Sequence, residues 1–268
     1  MTPYLWHDAP QADFAVIGDP VAHSRSPQMH MAAFKALGLD YRYVAIQVPP
    51  GEVAEALTQL REMGYKGVNV TVPHKGEAIA WCAHVDRFVT EVEAVNTIDL
   101  ERKAGINTDA NGFLETIINV DGRTALMLGA GGSARALSRA LVREGWDVRI
   151  HNRTPEKAVA LAGAVGAIAV DEADPTGASL ILNTTSASLD GEDLPILWDR
   201  ADKNALAYDL AYGKDSTPFL QAAHGLGLAT MDGLPMLVEQ GALSLEWWIG
   251  VDAPRDVMAA AIANGIVE

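Results

Sequence analysis

The 268-residue sequence holds a single cysteine, Cys82, so no internal disulfide staples it and no second thiol completes a thiolate metal site. That scarcity fits a reducing compartment, and Cys82 reads as a small core residue. No apolar run approaches the ~20 residues of a membrane span. The opening MTPYLWHDAPQADFAVIG lacks both the basic and the apolar parts of a leader segment, so a cytoplasmic location away from membranes is expected. Basic residues are few: 20 Lys and Arg face 35 Asp and Glu, a net charge of −15. Such a field repels phosphate backbones and anionic lipids, which argues against nucleic acid as a partner. With 49% hydrophobic and 21% charged residues and no internal repeat, the composition is that of a globular protein able to bury a core.

What is present is alternation. From residue 13, short β-branched runs trade places with helical stretches: FAVIG, SPQMHMAAFKALG, YRYVAIQV, GEVAEALTQLREMG, GVNVTV. This pattern predicts an α/β unit with a mostly parallel sheet. Ser26 is placed to cap the first helix, with Pro27 in its first turn. A second alternating block starts near residue 122, so two domains are expected, split near NTDANGF, where turn residues precede the helix GFLETIINV. The apolar tail LPMLVEQGALSLEWWIG has helical spacing and is expected to return to the first domain. The boundaries are then 1–109 completed by 234–268, and 110–233.

The second block carries a nucleotide signal. In TALMLGAGGSARALSRAL a strand runs straight into Gly129, Ala130, Gly131 and Gly132, and a helix follows through Ser133 and Ala134. Glycines let the backbone approach a pyrophosphate, and the helix N-terminus offers it unpaired N–H groups. The next strand, DVRIHN, ends where an NAD-binding domain usually places an acid on the ribose. Here stand Asn152, Arg153 and Thr154, then Lys157, which favours a 2′-phosphate and hence NADP, by roughly ten- to hundredfold. The plainer alternative is that Thr154 and Pro155 only start a helix and the basic groups are solvated.

Taken in order, GDPVAHSRSPQMH, GVNVTVPHK, EAVNTI, GINTDANGF, LGAGGSAR, HNRT, YDLAYG and DGLPMLVEQGA resemble the shikimate dehydrogenases of the aromatic amino-acid pathway. The resemblance implies a substrate-binding catalytic domain first and a Rossmann-like NADP domain second. It also implies reversible, NADPH-dependent reduction of 3-dehydroshikimate to shikimate, with Lys75 and Asp109 as the acid–base pair. It assigns Ser24, Ser26, Thr71, Asn96, Tyr212 and Gln240 to the substrate, and Leu210 and Gly233 to the nicotinamide. Ser26 alternatively serves only as a cap, and His74 is expected to play no chemical part. No metal is implied, and monomer and homodimer both stay open. Lys157 replaces the arginine usual after NRT, which leaves selectivity mainly to Arg153. Rival readings are a quinate-oxidising, NAD-dependent relative, a non-catalytic regulator on the same fold, and a dehydrogenase of folate or amino acids.

Overall fold

The computed structural model describes residues 2–187, 192–213 and 216–263. Its strands are β1 (Tyr4–Leu5), β2 (Phe14–Gly18), β3 (Tyr43–Gln47), β4 (Gly67–Val70), β5 (His84–Val85), β6 (Thr97–Asp99), β7 (Ala104–Ile106), β8 (Thr124–Leu128), β9 (Asp147–His151), β10 (Ile168–Ala169), β11 (Leu180–Asn183), β12 (Leu206–Asp209) and β13 (Ala229–Met231). The helices are α1 (Ser26–Ala36), α2 (Val53–Glu62), α3 (Arg87–Val92), α4 (Asp109–Thr116), α5 (Gly132–Arg143), α6 (Pro155–Val165), α7 (Pro218–Gly225), α8 (Leu234–Ile249) and α9 (Arg255–Ala263). Two compact units result: Met1–Gly112 with Leu237–Glu268, and Phe113–Met236. Residues 264–268 of the expected C-terminal segment lie outside the described residues.

In the first unit the strand order is β1-β3-β2-β4-β6-β7-β5 among the described residues. The pairs β1/β3, β3/β2, β2/β4 and β7/β5 are parallel, while β6 runs antiparallel to both neighbours. All five residues of β2 are buried, as befits a strand covered on both faces. Ile17, Ile46, Leu57, Leu60 and Val68 pack into one core. Beside β2, the Trp248 ring from α8 lies 4.8 Å from Phe14, and its Nε1 donates to the Ile98 carbonyl at 3.0 Å. The indole fills the space a side chain at residue 67 would need: a Cβ on Gly67 would fall 2.5 Å from Trp248 Cε2. Gly67→Ala is therefore expected to destabilise the protein by about 1–3 kcal/mol, the usual range for overpacking a core. Chemical denaturation checks this, and Trp248→Leu in the same chain should recover part of the loss.

His30, on α1, is fully buried; its ring stacks on Tyr43 at 4.4 Å with 5° between planes. Burial lowers its pKa from the ordinary 6.5 to about 3. The unfolded chain thus takes up a proton that the folded chain refuses. The contribution of His30 to stability is complete above pH 6.5 and lost as pH falls from there toward about 3, at roughly 1.4 kcal/mol per pH unit. His30→Phe is expected to flatten the fall of unfolding free energy over that window. An unchanged slope would mean that other groups set acid lability.

The second unit holds a parallel sheet of order β10-β9-β8-β11-β12-β13 among the described residues. Counted within the unit this is 3-2-1-4-5-6, the doubly wound order, with its switch between β8 and β11. Helix α5 buries Ala134, Leu137, Ser138 and Leu141 along one face, the spacing that packs a helix on a sheet.

Two local expectations need correction. The residue flanking α1 in the cap position is Arg25, with no side-chain cap bond, and Ser26 is the first helical residue. Its hydroxyl is instead bonded to the Tyr43 side chain, while Ser24 Oγ accepts from the Ser26 N–H at 3.3 Å. Helix α4 begins at Asp109 rather than after the turn residues. Asn107 Oδ1 accepts from the Ala110 N–H at 3.3 Å, and this early cap draws Asp109, Ala110, Asn111 and Gly112 into the helix.

Candidate active site

Strand β4 ends at Val70, and the chain turns through Thr71, Pro73 and His74 to Lys75. Backbone bonds fix the turn: the Thr71 N–H donates to the Ile17 carbonyl at 2.9 Å and the His74 N–H to the Thr71 carbonyl at 3.0 Å. His74 is fully buried, and its Nε2 lies 2.7 Å from the Val48 carbonyl. A carbonyl only accepts, so Nε2 carries the proton and the imidazole braces the turn. Lys75 leaves the same turn with its carbonyl bonded to the Val95 N–H at 2.9 Å, and its Nζ donates to Asp109 Oδ2 at 2.7 Å. The side chains are only 16% and 8% exposed. A pair this sheltered is screened less than a surface salt bridge. Asp109 opens α4, where the helix dipole favours a negative charge.

Asn96 sets the other side of the carboxylate. Its Oδ1 accepts from the Thr108 N–H at 2.8 Å, which fixes the amide's orientation, since a backbone N–H only donates. Nδ2 must then face Asp109 Oδ1 at 2.9 Å, with Thr108 Oγ1 at 2.9 Å and Gln240 Oε1 at 3.4 Å. Gln240, on α8, is held by its own Nε2 donating to the Leu237 carbonyl at 2.8 Å. The first unit therefore gathers Lys75, Asp109, Asn96 and Gln240 through direct hydrogen bonds, and couples Ser24 to Ser26. Thr71 stands four residues before Lys75 in the same turn. A lysine that can give or take a proton, held by a carboxylate, beside neutral amides suits acid–base chemistry on a hydroxyl or carbonyl.

Tyr212 lies after β12 in the second unit, and that unit also holds all the expected cofactor residues. A cavity of about 550 Å³ there is lined by Gly129, Ala130, Gly131, Asn152, Arg153, Thr154 and Lys157, together with residues not singled out from sequence, His151, Thr184 and Thr185. Gly129 has φ +112°, and a Cβ on it would collide with Thr184. Gly131 and Gly132 meet nothing within 4 Å on their Cβ side, leaving the loop and the N-terminus of α5 open to a phosphate group. Arg153 is 93% exposed, with Glu192 3.9 Å away. Thr154 stands before α6 and makes no side-chain cap bond; Asn152 Nδ2 donates to its carbonyl at 2.9 Å. Ala134 is fully buried inside α5 and packs helix on sheet. Leu210 and Gly233 adjoin each other, because a Cβ on Gly233 would strike the Leu210 carbonyl. They do not line the 550 Å³ cavity, and neither do Gly132 and Ser133. The open loop, the cavity and its basic residues fit a dinucleotide with a 2′-phosphate. Among the described residues no cluster suited to a metal ion occurs, and no helix is long and apolar enough to cross a membrane.

Asn69, Thr97 and Thr108 bond to Asn96, and Ser244 bonds to all three; all four are buried and were not singled out from sequence. The signal for the first two was a polar residue inside an apolar run, in GVNVTV and AVNTI.

A mostly parallel unit with a sheltered lysine–carboxylate pair, joined in one chain to a doubly wound Rossmann-like unit, defines a two-domain dinucleotide-dependent dehydrogenase architecture. Residues 16–98 match the family model for the shikimate dehydrogenase substrate binding domain, and residues 233–263 the shikimate 5′-dehydrogenase C-terminal domain. A shikimate dehydrogenase (NADP(+)) of Methanocella arvoryzae is 39% identical, over 94% of this chain and 98% of that protein. One from Anaeromyxobacter sp. strain Fw109-5 is 41% identical over 93% and 95%. The crystal structure of shikimate 5-dehydrogenase from Thermus thermophilus in complex with NADP(H) and shikimate matches with TM-score 0.87 and 38% identity, covering 93% of this chain and 98% of that one. The chain belongs to the shikimate dehydrogenase family.

Proposed function

We propose that this protein catalyses the reversible, NADP-dependent interconversion of shikimate and 3-dehydroshikimate, on the way to the aromatic amino acids. The observation that carries the proposal is the 2.7 Å Lys75–Asp109 pair, fixed on its far side by Asn96. When bound, the nicotinamide supplies or takes up the hydride, and the chain manages the proton. In reduction the Lys75 ammonium donates to the C3 oxygen as the carbonyl becomes a hydroxyl; in oxidation the neutral amine takes that proton back. Asp109 keeps the lysine oriented, and its carboxylate also accepts from a ring hydroxyl. Ser24 and Ser26 bind the substrate carboxylate, while Thr71, Asn96, Tyr212 and Gln240 bind ring hydroxyls.

Gly129, Ala130, Gly131 and Gly132, with Ser133 and the α5 N-terminus, hold the pyrophosphate. Asn152, Arg153, Thr154 and Lys157 face the adenosine 2′-phosphate, and Leu210 and Gly233 flank the nicotinamide. In the proposed reading the protein works in the cytoplasm. The test is product identification: shikimate incubated with NADP⁺ and the protein should yield a ketone at C3, seen by NMR as loss of the C3 proton. Recovery of shikimate alone, with enzyme shown to be folded, would defeat the proposal.

A further inference from the structure

Behind the Lys75–Asp109 pair lies a buried network of side chains that makes no bond to the lysine and runs from Ser26 to Asn96, two residues that bind substrate in the proposed reading. It starts at the Ser26–Tyr43 bond. Burial pushes the Tyr43 phenol well above its ordinary pKa, with the Ser26 bond pulling the other way, so the phenol keeps its proton and donates it to Asn69 Oδ1 at 2.7 Å. That contact turns Asn69 Nδ2 toward Thr97 Oγ1 at 3.1 Å and Ser244 Oγ at 3.0 Å. Thr97 and Ser244 are both fully buried and lie 2.7 Å apart. Thr97 Oγ1 also reaches Asn96 Oδ1 at 3.1 Å and Thr108 Oγ1 at 3.3 Å. Ser244 Oγ reaches Thr108 Oγ1 at 3.2 Å and the Gln240 carbonyl at 2.9 Å.

Each hydroxyl has one proton and more than one acceptor. When Ser244 donates to the Gln240 carbonyl, Thr97 donates to Ser244; when Ser244 donates to Thr97, the Thr97 proton is free for Asn96 Oδ1. Both arrangements run through Thr97. It pairs across the sheet with Asn69, directly follows Asn96, and with Thr108 is one of two hydroxyls that join Ser244 of α8 to the amide holding Asp109.

We infer that Thr97 is a positioning residue for the proposed reaction: it acts through Asn96 to keep the Asp109 carboxylate in register with Lys75. The role rests on the proposed function only for its effect on turnover. The hydrogen-bond relay itself does not depend on which substrate is used.

Thr97→Val keeps the shape and removes the hydroxyl, and Asn69 Nδ2 retains the Asn96 carbonyl at 3.2 Å and Ser244, so the fold should survive. We expect kcat for shikimate oxidation to fall about tenfold, as misplacement near the chemistry does, with the Kd for NADP⁺ unchanged. Thr97→Ser, which restores the hydroxyl, should stay within about twofold of the wild type. Hydrogen exchange of the Asn96 side-chain amide, followed by NMR without substrate, should be slow in the wild type and in Thr97→Ser and fast in Thr97→Val. Equal kcat for the valine variant and the wild type, or equal loss in both variants, would overturn the inference. If the wild type failed to oxidise shikimate, the functional proposal would fall and the exchange rates alone would decide the relay, with unchanged rates in Thr97→Val counting against it.

Discussion

Lys75→Ala is expected to lower kcat for shikimate oxidation by about 10² to 10⁴, the range a positioned general acid–base contributes, while KM moves little. Lys75 is 16% exposed and tied to a carboxylate that is itself 8% exposed, so its charge is held by one partner in a sheltered place. In the proposed mechanism, removing the amine takes away the group that accepts the proton in oxidation but leaves Ser24, Ser26, Asn96 and Gln240 to hold the ground state. A change that lowers kcat and kcat/KM together marks an interaction made in the transition state. Asp109→Asn keeps the volume and removes the charge, and should impair the same step because the ammonium loses its counter-ion. A Lys75→Ala loss confined to KM would place the lysine in binding and leave the proton to another group.

Arg153→Ala should raise the Kd for NADP⁺ by about ten- to hundredfold, equivalent to the 1.5–3 kcal/mol of a charge-assisted hydrogen bond, and leave the Kd for NAD⁺ within about twofold. Arg153 borders the 550 Å³ cavity beside the glycine loop. Its side chain is 93% exposed, and its carboxylate neighbour Glu192 is 58% exposed at 3.9 Å. Such a contact is worth little in water, so the guanidinium is available to a phosphate. Lys157→Ala should cost less, since an ammonium lacks the planar fork. Isothermal titration with each nucleotide measures both values. Equal weakening of NADP⁺ and NAD⁺ binding would make Arg153 a structural residue.

The sequence showed most where one physical signal dominated. Strands β2 and β8 are unbroken apolar runs, and the glycine loop between β8 and α5 has few other uses, so both were legible. The β6–β7 hairpin was not read: its strands have three residues each, too few for a period, and Lys103 in its turn has φ 51° without being a glycine. The Lys75–Asp109 pair was nameable because NVTVPHK and NTDANGF are distinctive strings. Thr97 and Ser244 were not, because a lone hydroxyl in an apolar segment has no spacing to betray it. What brings them together, β6 lying next to β4 with α8 across them, is tertiary. Ser26 failed for the same reason: the sequence pointed to a helix cap, but Arg25 holds that position, and the partner of Ser26, Tyr43, lies on the neighbouring strand.

Initial rates of nicotinamide reduction with shikimate and with quinate, each with NADP⁺ and with NAD⁺, separate the proposed reaction from its rivals. Rapid turnover of shikimate with NADP⁺ is expected, with far slower reaction in the other three combinations. Preferred oxidation of quinate with NAD⁺, or no turnover of any pair by folded protein, would contradict the proposal.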